Sequence, residues 1–267
     1  MLQYLHQISQ KYPEKRVIIT GAGSGLGFEL CNIFSSDNWK VLAIDINTTN
    51  LLSITNNNLS IEQFDITQNE KLKNSFLNFC EKYNGVDILF NNAGVGEGSL
   101  FVDYTPENWD WIINIHLKAV INGTYYVLPY LQKANSGLIV NMASMAGVAN
   151  LPQMSPYNVT KAAVISLSET LSHELSNTEI KVKCYTPTFF QSSILQHSRG
   201  DKNTISKAQK IVTSSKLKSN DAAIIIIKSL CNNDETIRFP FVAKVLFYTK
   251  KYVPNLYKYL VRKFLVN

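Results

Sequence analysis

Val17-Ile18-Ile19-Thr20-Gly21-Ala22-Gly23-Ser24-Gly25-Leu26-Gly27, followed at once by the run FELCNIF at 28–34, decides how the chain is read. Val17–Thr20 is short, β-branched and continuous, as a strand buried on both faces requires. The glycines then break it, and apolar residues resume at helical spacing. Glycine accepts positive φ and lets backbone amides approach a ligand closely. A helix N-terminus adds unpaired N–H groups and a favourable dipole for an anion. A glycine-rich run alone is weak evidence, because tight turns also use glycine. Here a strand precedes it and a helix follows, the context a dinucleotide pyrophosphate needs. Asp45 ends the next apolar run, 18 residues after Gly27. A carboxylate at that offset accepts hydrogen bonds from ribose hydroxyls and repels a 2′-phosphate. Neither Ser24 nor Ile46 supplies a compensating cation, so NAD is expected over NADP.

The same alternation continues outward. Runs at Val17–Thr20, Val41–Asp45, Ile61–Phe64, Val86–Phe90, Leu138–Asn141 and Ile180–Tyr185 read as strands. Helical periods fall between them at 25–36, 68–83, 106–133, 156–176 and 219–231. Thr105-Pro106 and Ser155-Pro156 read as N-caps with proline in the first turn. The pattern predicts an α/β fold, a doubly wound parallel (Rossmann) sheet with helices on both faces. There are no internal repeats and no linker, and the polar stretch 47–58 reads as a surface loop or short helix. The expected organisation is a dinucleotide-binding domain over 1–237 with a basic helical extension over 238–267.

Composition narrows the classes. In 267 residues, 45% are apolar and 17% charged, enough to bury a large core and too ordered for a disordered chain. Cys31, Cys80, Cys184 and Cys231 form no C-x-x-C pair, which argues against zinc and a disulfide framework; they read as small buried hydrophobes. The N-terminus MLQYLHQISQKYPEKR lacks the features of a signal peptide, and no 18-residue apolar run exists. A cytoplasmic location is expected, with peripheral membrane contact an alternative. Of 26 basic and 20 acidic groups, seven basic and no acidic ones lie in 238–267, leaving 19 against 20 elsewhere. The main domain therefore has no basic face for nucleic acid.

Chemistry is suggested by Tyr157 and Lys161, four apart on one helical face. A nearby ammonium favours phenolate, so Lys161 is expected to lower the Tyr157 pKa toward neutrality. Ser144, ending the preceding strand, can donate to a carbonyl oxygen. Met142, Met145 and Met154 could line an apolar pocket or simply pack. His116 and His173 have no metal-spaced partner and read as surface or packing residues.

Thr20-Gly21-x-x-x-Gly25-x-Gly27, Asn91-Asn92-Ala93-Gly94, Ser144 and Tyr157-x-x-x-Lys161 together resemble the short-chain dehydrogenase/reductase family, over about residues 14–231. The resemblance implies NAD(H)-dependent hydride transfer between an alcohol and a carbonyl, with Tyr157 as the general acid/base. It makes Asn114 a fourth catalytic residue, holding a water linked to Lys161. It implies a cofactor cradle of Gly21, Ser24, Gly25, Leu26, Gly27 and Asp45, with Asp65 and Ile66 at the adenine. Asn92, Ala93 and Gly94 would support the nucleotide, Lys161 and Tyr157 the nicotinamide ribose, and Pro187 and Thr188 the nicotinamide. Thr188 departs from the family's usual glycine. The resemblance also implies a homodimer or homotetramer formed through helices 106–133 and 156–176. Two other functions stay open: a nucleotide-sensing module without turnover, and a peripheral membrane protein acting through its tail.

That tail, FVAKVLFYTKKYVPNLYKYLVRKFLV at 241–266, is divided by Pro254. Lys258 and Arg262 share one stripe of its second half, and Leu256, Leu260 and Phe264 another. Such a pattern can lie in a membrane interface or pack over the cleft or a neighbouring subunit.

Overall fold

Continuous β-branched runs must hide both faces, and the computed structural model, which describes residues 1–263, covers both sides of one parallel sheet. Its strands are β1 (Arg16–Thr20), β2 (Lys40–Asp45), β3 (Leu59–Gln63), β4 (Ile88–Asn91), β6 (Gly137–Met142), β7 (Ile180–Tyr185) and β9 (Thr236–Ile237), in the order β3-β2-β1-β4-β6-β7-β9. Val17 stands opposite both Val41 and Ile88, and Ile88 opposite Leu138. A small separate pair joins β5 (Glu97–Gly98) to β8 (Arg199–Gly200). The chain builds outward from β1 to β3 and then returns to place β4 beside β1. That reversal opens a crevice at the carboxyl ends of β1 and β4, where open α/β sheets bind ligands.

On one face pack α1 (Leu2–Lys11), α2 (Gly25–Ser36) and α9 (Ser219–Leu230), through Leu5, Leu30, Phe34, Ala222 and Ile226. The apolar run at 222–227 is thus part of a buried helix face. On the other face are α3 (Asn69–Lys82), α5 (Ala119–Ala134) and α7 (Ser155–Glu174), through Phe76, Phe79, Val127, Leu131 and, just past the end of α7, Leu175. At the sheet's base Arg16 grips Asp87 with two guanidinium bonds, 2.7 and 3.1 Å, both side chains buried. The remaining helices are α4 (Pro106–Ile113), α6 (Ala146–Ala149), α8 (Lys202–Ser214), α10 (Phe241–Tyr252) and α11 (Pro254–Val261).

Several expectations shift. The helix expected over 106–133 is α4 and α5 joined by a π-helical turn, Asn114–Lys118. Thr105 caps α4, its hydroxyl and the Asn108 side chain forming a reciprocal box. Ser155, by contrast, is the first residue of α7, and Met154 holds the cap position without a side-chain bond. Residues 202–214, between the expected strand Ile180–Tyr185 and the expected helix 219–231, are helical as well, with Asp201 accepting from Thr204 N–H at 2.7 Å. Cys31, Cys80 and Cys184 are buried as expected, but Cys231 is exposed because it follows the last turn of α9. No helix among the described residues is long and apolar enough to cross a membrane. Phe264 lies outside the described residues.

Candidate active site

The glycine loop forms because β1 must pass into α2 beneath other backbone. Gly21 and Gly25 have φ of +65° and +53°. A β-carbon at Gly27 would collide with the Gly21 carbonyl, and one at Gly23 with the Asn47 carbonyl. The first turn of α2 has no side-chain cap, so its N–H groups remain available to an anion. Thr20 Oγ accepts from the Asn92 and Ala93 amides, each at 3.1 Å, and Asn92 Nδ2 donates to the Thr20 and Gly21 carbonyls. The two loops that border the crevice are thereby locked together.

Asp45 lies at the end of β2, where its Oδ2 accepts from Gly23 N–H at 2.8 Å and its Oδ1 from Asn47 N–H at 2.9 Å. The carboxylate thus holds the glycine loop and keeps lone pairs for a hydroxyl ligand. These residues line a single cleft of about 1500 Å³ that also takes in Ser24, Leu26, Asp65, Ile66, Ala93, Gly94, Pro187 and Thr188. Asp65 closes a turn by accepting from the Thr67 amide and hydroxyl. Ser24 receives a 2.6 Å bond from the Ser193 hydroxyl, tying the loop to the segment before β8. The cleft's cations, Lys161, Arg199 and Lys207, belong to elements other than the β1–β2 end that carries Asp45.

At its other end the cleft reaches Ser144, Tyr157 and Lys161. Ser144 follows β6, its Oγ accepting from Ala146 N–H at 3.1 Å, and its hydroxyl lies near enough to the Tyr157 phenol to favour the ionised ring. Lys161 Nζ donates to the Met142 carbonyl at 2.8 Å and stands 5.8 Å from the Tyr157 ring centre. Burial governs the titration of both. It pushes the phenol up to about 12, partly offset by Ser144, and the ammonium down to about 8. The lowering of the Tyr157 pKa expected from Lys161 is not what the site shows: desolvation of the phenolate raises it, and Ser144 is the group that opposes the rise. Tyr157 therefore stands as a neutral phenol.

Asn114 is not brought into this cleft, although Trp111 and Ile115 are. Its carbonyl accepts from Ala119 N–H within the π turn. Two residues further, almost on the opposite side of the helix, His116 turns inward and is fully buried. Its Nε2 accepts from Val95 N–H at 2.9 Å, its Nδ1 faces the Thr160 hydroxyl at 3.3 Å, and its ring stands edge-on to Tyr157 at 5.2 Å. Burial and the Lys161 charge keep it neutral, well below the usual histidine range. A β-carbon at Gly94 would approach both His116 Nε2, at 3.4 Å, and Lys161 Nζ, at 3.8 Å. His116, read from sequence as a surface or packing residue, is thus part of the wall behind Tyr157 and Lys161.

Glu97 is the other residue that sequence reading missed. It is 4% exposed, and its Oε1 accepts from Tyr157 N–H at 3.1 Å, capping α7 where Met154 cannot. Oε2 is buried with no partner. Burial raises the carboxyl to about 7 despite the bond from Tyr157 and the nearby Tyr104 hydroxyl. The only sequence signal was an acidic residue in an otherwise small, apolar segment, AGVGEGS at 93–99.

A glycine loop at a sheet's switch point, a strand-end carboxylate and a buried Ser–Tyr–Lys cluster define the class: an NAD(P)-dependent oxidoreductase with a Rossmann fold. The chain belongs to the short-chain dehydrogenases, whose family model matches residues 15–203. It is 32% identical over 188 residues to the 3-oxoacyl-[acyl-carrier-protein] reductase of Thermotoga maritima, covering 68% of this chain and 76% of that protein. A short-chain dehydrogenase/reductase from Burkholderia phymatum, solved in complex with NAD, superposes with a TM-score of 0.81 at 25% identity, covering 90% of this chain and 94% of that one. Serine dehydrogenase in its closed form with NADP+ shares the fold, with a TM-score of 0.75 at 24% identity and coverage of 85% and 95%.

Proposed function

We propose that this chain reduces a carbonyl compound to an alcohol, and runs the reverse reaction, using NAD(H) in the cleft between Asp45 and Tyr157. The observation that carries the proposal is one continuous cleft with dinucleotide-loop geometry at one end and Ser144, Tyr157 and Lys161 at the other. The residues fit the cofactor: the uncapped first turn of α2 suits the pyrophosphate and Asp45 the adenosine ribose. Lys161, Pro187 and Thr188 all line the cleft, where Lys161 would hold the nicotinamide ribose and the other two would lie by the ring. When bound, the nicotinamide supplies or accepts the hydride.

The protein's own part is proton transfer and positioning. In reduction, the Ser144 hydroxyl donates to the substrate oxygen as negative charge develops there. The Tyr157 phenol gives its proton to the same oxygen, and the buried, protonated phenol is already in the form reduction requires. Lys161 holds a positive charge beside the resulting phenolate, and its bond to Met142 carbonyl fixes where that charge lies. His116 and Glu97 hold the ring and the backbone of Tyr157.

NAD is the preferred form in this reading, because the carboxylate of Asp45 would accept from the ribose hydroxyls and neither Ser24 nor Ile46 brings a cation. Trp111, Met154, Ile194 and Leu195 give the substrate end an apolar lining. The substrate is a small-molecule alcohol or carbonyl compound. Ile121 and Tyr125 on α5 and Val159 on α7 are exposed, which supports a homodimer or homotetramer through these helices. The test is NAD+ reduction measured against a panel of secondary alcohols, with NADH oxidation against the matching ketones. Turnover of no member in either direction, with NADH still bound, would favour a nucleotide-sensing module instead.

A further inference from the structure

Helices α10 and α11 lie against α6 by one face only. Lys250 Nζ donates to the Val148 carbonyl and Tyr257 Oη to the Ala149 carbonyl, the latter at 2.7 Å. Ala243 and Tyr257 are the buried members of the two helices. These anchors determine which side faces out. Along α10, Phe241, Val245, Tyr248 and Tyr252 follow one another at helical spacing, and all are exposed, Phe241 to 78% and Tyr252 to 67%. The Tyr248 and Tyr252 rings stack at 6.0 Å with 10° between their planes, so together they present one broad aromatic surface. On α11, Leu256, Tyr259 and Leu260 continue the exposed apolar side. A folded chain gains nothing by placing so many large apolar groups in water; clustered, they mark a contact surface.

The charges around these groups indicate what the surface meets. Lys244, Lys251 and Lys258 are exposed on the same two helices and Arg262 just past the second, and no acidic residue occurs from 236 onward. A protein partner with an apolar patch would not require that uniform sign. An anionic lipid surface does, and tyrosines set among lysines are what an interfacial helix presents to it.

We propose that α10 and α11 dock this protein on the surface of an anionic lipid bilayer, with Phe241, Val245, Tyr248, Tyr252, Leu256 and Leu260 in the headgroup boundary and the exposed cations on the phosphates. Neither helix spans the bilayer; the two lie along it. Val242 and Leu246 of α10 also line the cleft, so docking sets the cleft beside the lipid. The inference does not depend on the redox reading, because its readout is partitioning rather than turnover.

The test is co-sedimentation of the full chain with vesicles of phosphatidylcholine alone and of equimolar phosphatidylcholine and phosphatidylglycerol, at low and high ionic strength. Binding is expected only to the anionic vesicles at low salt. A cation near an anionic surface adds about 1 kcal/mol, roughly fivefold in partitioning. Lys251→Glu with Lys258→Glu, which replaces two cations by anions, should therefore weaken binding more than 25-fold, the square of that factor. Tyr248→Ser with Tyr252→Ser should weaken it without altering the salt dependence. All four positions are exposed, so thermal melting should stay at the wild-type temperature. Wild-type protein left in the supernatant with anionic vesicles at low salt would overturn the proposal, as would a charge-reversed variant that binds equally. A concentration-dependent dimer abolished by Tyr248→Ser with Tyr252→Ser, without vesicle binding, would assign the surface to a second copy instead.

Discussion

Replacing Glu97 by glutamine should change how stability depends on pH. The carboxyl caps the helix bearing Tyr157 and Lys161 through Oε1, while Oε2 is buried without a partner. Its pKa rises from an ordinary 4.5 to about 7 on folding, mainly through desolvation. A group whose pKa is higher in the folded state binds more protons there than in the unfolded chain. Stability is therefore fully present below about 4.5 and falls as pH rises through about 7. At about 1.4 kcal/mol for each tenfold change in proton affinity, ionisation costs the folded state about 3 kcal/mol. Glutamine keeps an oxygen for the Tyr157 amide and removes the ionisation. Urea unfolding of wild type and Glu97→Gln near pH 5 and pH 8 should show the wild type losing up to about 3 kcal/mol relative to the variant over that interval. Parallel pH profiles would show that Glu97 is not held in the raised-pKa state, and the account of α7 capping would need another source for its buried charge.

Three further outcomes follow from individual contacts. NADH should bind more tightly than NADPH by calorimetry, because a 2′-phosphate would meet the Asp45 carboxylate with no cation beside it. Asp45→Ala should narrow that gap and also weaken NADH, since Gly23 N–H loses its acceptor; equal affinities in the wild type would contradict the NAD preference. Asp87→Ala leaves the buried Arg16 guanidinium without its carboxylate and should cost about 3–5 kcal/mol in denaturant unfolding. Lys161→Ala should weaken NADH binding as well as turnover, because in the proposed reading the ammonium serves both the ribose and Tyr157. Loss of turnover alone would confine it to proton transfer.

The β1–α2 junction was legible in sequence because β-branched strands, glycines and helical period each carry a local signal. The six long strands and the Ser144, Tyr157 and Lys161 cluster follow from that alternation and from motif spacing. What the sequence could not show was set by tertiary contact. Helix α1 is held by burial of Leu5 and Ile8 rather than by any cap. β9 spans Thr236–Ile237 only and exists because β7 offers an open edge. The π turn rotates His116 inward where a regular helix was expected. Glu97 reaches Tyr157 N–H from 60 residues away, a relation no local pattern encodes. The pKa order of Tyr157 and Lys161 likewise depends on how deeply both are buried.

The most direct test of the proposed chemistry is Tyr157→Phe, which removes one hydroxyl from a buried ring and leaves His116, Lys161 and the cofactor end of the cleft in place. On the best alcohol or ketone from the panel, the account predicts that kcat falls by at least the 10²–10⁴-fold typical of lost acid/base catalysis, while the NADH dissociation constant by calorimetry stays at the wild-type value. Wild-type kcat in Tyr157→Phe would contradict the assignment of the proton to Tyr157.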